Sequence, residues 1–421
     1  MVALKILVLC PHFAPDTAPT GTVMTRIVEE LATLGHDVHV VTSLPWYRAH
    51  RVEPGWDGRR IRVERTTWGS IARVDPFAGA DKRNLVRRAV GFLGFSVVAF
   101  VAGLRAGGRG RPTVILAMSP PLTLGPTGWL LGVLRRAPLV FNVQDVFPDA
   151  AVRTGAIVDR RLIRLAEMLE RWTYRRSAAV TVLSDDLAAN VRGKIGEDRA
   201  AAVRVIPNFV DTDRIRPGDR LTAYRAEFSL GDGPVVLYAG NVGLSQSFDL
   251  MEEAARRCPD ITFVVNGDGS ARSDLERRVA DLANFRVVGF QPVERLPEVL
   301  ASGDIHLVLL RRGLGDVSVP SKSYSSLAAG RPVVAAIDPG TEIPRLLDAA
   351  RAGRCVDPDD VDGFVETLRS LLDDPDERAR MGASGRTWVV DHASPSAVGA
   401  AYAELLAEVA AGPIRPGTDI V

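Results

Sequence analysis

The residues best suited to chemistry in this chain stand where apolar, strand-like runs end. Residues 316–336 read DVSVPSKSYSSLAAGRPVVAA. They make a loop with Pro320, Ser321 and Lys322, a small-residue helix from about Ser323 to Ala329, and a run from Val333 to Ala336 that reads as a buried strand. A loop feeding a helix N-terminus presents unpaired backbone N–H groups and the positive end of the helix dipole, a setting that suits phosphate. Lys322 would add a full charge; the only other lysines are Lys5, Lys82 and Lys194, in a chain that otherwise uses arginine. The same pattern also describes a plain helix capped by Ser321. Asp145, with Gln144 before it, closes the apolar run Leu139 to Val143. A carboxylate there can act as a base or hold a ligand hydroxyl, or simply cap a loop.

These groups need a scaffold that collects strand ends on one side. The opening supplies one: a strand Leu4 to Leu9, the loop PHFAPDTAPTG, a helix Thr22 to Leu34 and a strand Val38 to Thr42. Apolar Val23, Ile27, Leu31 and Leu34 give the helix its period, and Gly35 stops it. A β–loop–α–β opening predicts a parallel, doubly wound α/β sheet, which binds ligands at the carboxyl ends of its strands. Thr20 and Gly21, at the helix start, form a second phosphate seat, but no full dinucleotide glycine fingerprint is present.

The second half repeats the logic. Strand Val235 to Tyr238 runs into Gly240-Asn241-Val242-Gly243, and strand Ile261 to Asn266 into Gly267-Asp268-Gly269. Strand Arg286 to Val288 precedes Gly289-Phe290-Gln291-Pro292, and Ile305 to Leu310 leads to the Lys322 loop. Four βα turns carrying Gly or Ser make one sheet edge a row of close backbone approaches. The expected architecture is two Rossmann-like domains with a deep cleft between them. The first spans 1–204 and is joined by a C-terminal helix at about 392–411. The second spans 205–391, and a Pro- and Gly-rich tail, 412–421, is expected to be disordered. Residues 45–88, Arg-rich with Trp46, Tyr47, Trp56 and Trp68 dispersed through them, read as irregular.

Composition narrows the function classes. At 421 residues, 46% hydrophobic and 24% charged, the chain is globular and long enough for two cores. Cys10, Cys258 and Cys355 are too few and too far apart for a disulfide framework or a Cys-based metal site, and the histidines are scattered. The start, MVALKILVLC, reads as a strand rather than a signal peptide, so a cytoplasmic protein is expected. Residues 1–195 hold 27 Lys and Arg against 16 Asp and Glu, the remainder 25 against 35. A basic half points to an anionic ligand or surface; nucleic acid is disfavoured because basic runs interleaved with aromatics are missing. Residues 89–104, AVGFLGFSVVAFVAGL, lie between arginines and fall short of the roughly 20 residues that span a bilayer. They suit a core helix or a helix at the bilayer interface. Asp211-Thr212-Asp213 has the form of a metal-binding Asp-x-Asp but reads better as a turn.

Several phrases together resemble the retaining family 4 glycosyltransferases of GT-B fold. They are VVLYAGNVGLSQSFDLMEEAA, FVVNGDG, FRVVGFQP, VPSKSYSSLAAGRPVVAA and RMGASGRTWV. The opening PHFAPDTAPTGTVMTRIVEELATLGHDVHVVT and the phrase NVQDVFPDAAV are similar to the capsule, colanic acid and O-antigen transferases of acetamido sugars. The resemblance implies that the second domain holds a UDP-sugar while the first offers a lipid-linked saccharide acceptor. It sets Thr20, Gly21, Asn241, Gln246, Ser321 and Lys322 beside the donor diphosphate. Gly240, Gly267, Asp268, Gly269, Phe290, Gln291, Pro292, Tyr324 and Ser325 would surround the nucleotide, and His12, Asp16, Gln144 and Asp149 would line the acceptor side. Asp145 and Lys322 would carry the chemistry, with no metal, at the inner face of the cell membrane.

The chain departs from that family in several places, among them the family's Glu–seven residues–Glu pattern, whose first Glu would fall near Val317. Asn241 and Gln246 replace an Arg and a Lys, Ser325 replaces a ribose-holding Glu, and Gln144 replaces a His. Lys322 is thereby the only cationic side chain among the matched phosphate positions, which requires it and the helix N-termini to stabilise the leaving diphosphate. The alternatives are a UDP-N-acetylglucosamine 2-epimerase-like isomerase on the same architecture, or a non-catalytic scaffold of a polysaccharide assembly complex.

Overall fold

The computed structural model describes residues 2–48, 51–56, 61–77, 85–108, 110–146, 149, 159–243, 245–314 and 322–412. The expectations for Ser321, for Phe147 and Pro148 and for the tail after Gly412 fall outside these residues. The chain divides into two compact units, Met1–Pro207 with the chain from Val398 on, and Asn208–Ala397.

Unit 1 is built on an eight-stranded sheet of β1 (Lys5–Leu9), β2 (Asp37–Ser43), β3 (Ile61–Thr66), β4 (Gly69–Val74), β5 (Val114–Ser119), β6 (Leu139–Val143), β7 (Ala179–Val182) and β8 (Val203–Val205). Their order is β3-β4-β2-β1-β5-β6-β7-β8, parallel except for the antiparallel edge pair β3·β4. The inner strands are buried along their length, as the near-continuous apolar runs of a sheet covered on both faces require. The hairpin β3–β4 corrects the reading of 45–88 as irregular. Its outer strand, IRVERT, alternates apolar and charged residues but leaves Ile61 and Val63 exposed, so the usual buried-strand signature is missing.

Helix α1 (Pro19–Thr33) follows β1, and α2 (Leu85–Arg105), α3 (Leu124–Arg135) and α4 (Arg160–Arg176) lie in the same unit. In α2, Phe95, Ala99 and Ala102 enter the core, while Val90, Leu93, Val97, Val101 and Leu104 form an exposed stripe at helical spacing. The helix is therefore apolar on both sides but buried on one. No helix among the described residues is long and apolar enough to cross a membrane.

Unit 2 holds β9 (Val235–Ala239), β10 (Thr262–Asn266), β11 (Phe285–Val288), β12 (Ile305–Leu309), β13 (Val333–Ala336) and β14 (Gly353–Val356), in the order β11-β10-β9-β12-β13-β14 and parallel throughout. Alternate residues serve opposite faces. Val236 and Tyr238 pack with helix α5 (Asp249–Arg257), whereas Val235 and Leu237 join a separate cluster around Tyr224. Strand order reverses between β9 and β12, and a sheet of this kind opens its ligand crevice at the carboxyl ends beside that point. Helix α6 (Lys322–Ala328) returns the chain from β12, and α7 (Pro395–Ala411) carries the chain back into unit 1 from Val398.

Candidate active site

In unit 2 the turns after β9, β10 and β11 are wired to one another by backbone. Gly240 N donates to Asn266 O at 2.9 Å, Gly267 N to Val288 O at 2.8 Å and Val242 N to Asp268 O at 2.9 Å. Asp268 accepts from Gly269 N at 2.8 Å through its own Oδ1. Gln291 bridges Gly289 O and the Arg295 guanidinium, and beside it Phe290 stands exposed. Predicted Gly240, Gly267, Asp268, Gly269, Phe290, Gln291 and Pro292 thus share one sheet edge.

Lys322, the first residue of α6, reaches back to β9. Its ammonium donates to the Tyr238 hydroxyl and lies 4.4 Å from that ring's centroid. Tyr238 in turn donates to Asn241 O at 2.7 Å. The aliphatic stem of Lys322 fills the place a side chain at residue 240 would take: a Cβ on Gly240 would lie 2.1 Å from Lys322 Cε. Gly240 has φ +147°, a second reason for glycine there. Burial pushes the Lys322 ammonium down to about 8, and no carboxylate pairs with it among the described residues. A poorly solvated, unpaired cation at a strand-end crevice is a seat for an anion.

The rest of the predicted diphosphate contacts divide. Gln246 Oε1 accepts from Gly243 N at 3.0 Å, so this side chain shapes its own loop, while Asn241 is exposed beside it. The N-terminus of α5 already carries Asp249 and Glu252 in its first turn, and Arg278 bridges both carboxylates. That helix end therefore offers an incoming anion less than the sequence suggested. A cation that the sequence did not single out stands instead at the end of β12. Arg311 N donates to Ser245 O at 2.9 Å and Arg311 Nε to Gln246 O at 3.3 Å, tying the β12 end to the loop after β9. Arg312 is paired with Asp357 and Asp359, whereas Arg311 is exposed and has no carboxylate partner among the described residues. Only the sheet order brings residue 311 to residues 245–246.

Tyr324 corrects an expectation. It is only 2% exposed, its ring parallel to Trp388 at 6.4 Å, and it belongs to the core under α6. Ser325, the next residue, is half-buried. Asp211 accepts from Asp213 N and Arg214 N, closing a turn.

In unit 1, β1 is followed by the loop bearing His12 and Asp16. His12 Nδ1 lies 2.7 Å from Asp16 Oδ2, and Asp16 Oδ1 accepts from Tyr47 N at 3.1 Å. Gly21 is buried beneath this loop, where a Cβ would fall 2.8 Å from His12 Cβ. Its bareness thus has a packing cause, and Thr20 sits half-buried beside it in the first turn of α1, which has no side-chain cap. At the end of β6, Gln144 is buried and donates to Asn142 Oδ1, which links on to Tyr402 of α7. Asp145 is exposed, and partial desolvation raises its pKa. Asp149 is taken up by Lys194 at 2.9 Å and by Asn190, within a network that reaches buried Glu170. Its carboxylate, 27% exposed, is thus already engaged by unit 1 itself.

Residues 20–208 match the family described as Glycosyl transferase 4-like domain, and residues 233–374 match Glycosyl transferases group 1. This chain is a GT-B glycosyltransferase. A provisionally named colanic acid biosynthesis glycosyl transferase of Escherichia coli (strain K12) is 29% identical over 385 residues, 88% of this chain and 92% of that one. Among solved structures, sucrose-phosphate synthase from Thermosynechococcus elongatus superposes with a TM-score of 0.73 at 16% identity, covering 96% of this chain and 99% of that one. Anabaena HepE in complex with UDP-glucose does so with 0.66 at 13%, covering 96% and 100%. At such identities the structures establish the fold of the glycosyltransferase. The two family matches favour a transferase over the isomerase and scaffold alternatives.

Proposed function

We propose that this glycosyltransferase moves a sugar, of the N-acetylated amino or deoxyamino class, from a UDP-sugar to a lipid-linked saccharide in cell-surface polysaccharide synthesis. The reaction retains configuration at the anomeric carbon and needs no metal. The observation that carries the reading is the pair of cations at the β9/β12 switch point that have no carboxylate partner among the described residues, Lys322 against Gly240 and Arg311 against the loop after β9. There they hold the donor diphosphate and stabilise the charge that builds on it as the sugar departs. The acceptor hydroxyl attacks from the face the diphosphate leaves, and Asp145 orients or deprotonates it. A neighbour solved with UDP-glucose and a relative named for colanic acid synthesis support the donor and the pathway class.

The acceptor's lipid places the enzyme at the inner face of the cell membrane. Support comes from the exposed apolar stripe of α2, which packs on α3, which packs on α4. Leu130, Val133 and Leu134 of α3 and Leu162, Leu165 and Met168 of α4 are exposed as well, with Arg105, Arg136, Arg161, Arg164 and Arg171 around them. Apolar side chains rimmed by arginines suit an anionic bilayer surface.

The test is a thermal-shift screen of UDP- and GDP-sugars, followed by transfer to a lipid-diphosphate-linked N-acetylhexosamine in anionic vesicles containing a chelator. An α-linked product from an α-linked donor is expected. No transfer, an inverted product, or activity abolished by the chelator would overturn the corresponding part.

A further inference from the structure

Beneath α6, on the face of β12 that carries Val308 and Leu310, stands a histidine that the donor chemistry leaves unused. His306 is 1% exposed, in a layer otherwise made of apolar side chains such as Leu327 and Ala328. Both of its nitrogens are engaged. A carbonyl can only accept, so the bond to Leu300 O at 2.9 Å places the ring proton on Nε2. Burial lowers the ring's pKa to about 4, with Arg331 lowering it and Asp304 raising it by less. The imidazole is therefore neutral, and Nδ1 offers a bare lone pair. The Ser326 hydroxyl donates to that nitrogen at 2.9 Å. Leu300 belongs to the helix Leu296–Ala301 that leads into β12, so one buried ring joins that helix, β12 and α6.

A fully satisfied polar link inside an apolar layer adds little net stability over well-packed apolar side chains, but it admits one arrangement of the elements it joins. Here it fixes α6. Ser326 stands one helical turn after Lys322 on the same side of the helix, and its Oγ also lies 3.1 Å from Lys322 O. A rotation of α6 that broke the bond between Ser326 and His306 would carry Lys322 away from Tyr238 and Gly240. A shift of about 1 Å at a group that meets substrate is enough to cost about 100-fold in rate. We infer that His306, acting through Ser326, is a positioning residue for the transfer: it sets the rotation of α6 and so holds the Lys322 ammonium where the donor diphosphate lands. The inference rests on the donor reading of Lys322 and assigns the placement of that lysine to a side chain outside the crevice.

Two measurements test it, calorimetric UDP affinity and the titration of Lys322 itself. The chain has only four lysines, so NMR of isotope-labelled lysine can follow each one, and Lys322→Ala assigns the signal. In the parent protein that signal should titrate near pH 8. Ser326→Ala removes the link and leaves a good helix former in its place. It should raise the Lys322 midpoint by about half a unit or more toward the ~10.5 of a solvated lysine. It should also weaken UDP about three- to tenfold, the range of one hydrogen bond. In a Lys322→Ala background the same change should leave UDP affinity within about twofold, because Ser326 acts only through the lysine. His306→Phe should behave as Ser326→Ala does. His306→Asn, whose side-chain oxygen can stand in for Nδ1, should keep most of the parent's behaviour, and with Ser326→Ala it decides the matter if His306→Phe unfolds. A Lys322 midpoint unchanged by Ser326→Ala, or UDP losses that add in the double variant, overturns the inference and leaves the bond a structural one. A parent protein that does not bind UDP counts against the donor reading, while the lysine titration still decides whether His306 and Ser326 hold the ammonium.

Discussion

Lys322 occupies the space that a side chain on residue 240 would need. The 2.1 Å separation between a Cβ built on Gly240 and Lys322 Cε cannot be tolerated, so either the lysine or the turn must move in Gly240→Ala. Because the φ of +147° also strains an alanine, a stability loss of about 1 kcal/mol is expected as well. The lysine is the flexible partner and should yield first, leaving the crevice without its aligned ammonium. We expect Gly240→Ala to lower kcat/KM for the donor by about 30-fold or more, roughly 2 kcal/mol of transition-state stabilisation. Steady-state kinetics beside a thermal melt would separate the two effects; donor kinetics unchanged in a folded variant would remove Lys322 from the site.

The pH dependence of donor binding follows from the same lysine. Burial lowers its pKa to about 8, below the ~10.5 of an exposed lysine. Between those values the unfolded chain holds this proton and the folded, donor-free chain does not, so this group makes the free protein more stable as pH rises through that window. Donor affinity runs the opposite way. The ammonium is complete below about pH 8, and above it the donor KM should climb by up to roughly tenfold per pH unit. A bound diphosphate favours the charged form, so kcat should hold to higher pH than kcat/KM. Lys322→Ala should lose most of the turnover and also the break near pH 8. A break of the same position in that variant would assign it to another group.

Arg311 makes an independent prediction, because it reaches the crevice from β12 rather than α6. Arg311→Ala should raise the donor KM about tenfold, in keeping with a charge-assisted hydrogen bond of about 1.5–3 kcal/mol partly screened by solvent. Stability should change little, since the side chain is exposed and its one hydrogen bond from Nε goes to a loop carbonyl. Arg311→Lys keeps the charge and loses the tether to Gln246 O, so an intermediate KM is expected. A donor KM within twofold of the parent for Arg311→Ala would exclude the residue from diphosphate binding.

Most strands of both sheets were legible because they are short apolar runs bounded by turn residues, and the glycine turns could be read for the same reason. The β3–β4 hairpin was not, since an edge strand with exposed Ile61 and Val63 lacks the signature of burial. Lys322 was visible because its chemistry is local: a cation at a helix start. Arg311 was hidden because its meaning depends on the non-local neighbourhood of β12 and β9. The surroundings of Tyr324 and Asp149 were hidden for a related reason. Neither the ring of Trp388 nor the ammonium of Lys194 is close in sequence, and those partners decide what the two side chains do.

Unit 2 carries one buried ion pair whose disruption gives a stability prediction separate from the site. Asp304, just before β12, accepts from Arg225 at 2.8 Å, from Arg220 at 2.8 Å and from Val235 N at 2.8 Å. Burial alone would raise the Asp304 pKa, but the Arg220, Val235 and Arg225 hydrogen bonds outweigh it and hold the carboxyl below its usual range. Arg225, itself buried, also donates to Ser302 O and to Gly233 O, so its guanidinium ties the segment before β9 to the start of β12. Removing it leaves a buried carboxylate with half its compensation. Arg225→Ala should therefore destabilise unit 2 by about 3–5 kcal/mol, whereas the partly exposed Arg220→Ala should cost about 1 kcal/mol. The sign of the pH effect is fixed as well. Since the folded pKa of Asp304 is depressed, its contribution is present above the ordinary carboxylate range and is lost as pH falls through the folded value. Urea melts of the parent should weaken on acidification across that range, and those of Arg225→Ala should weaken less. Equal acid sensitivity in the two proteins would place the acid-labile carboxylate elsewhere.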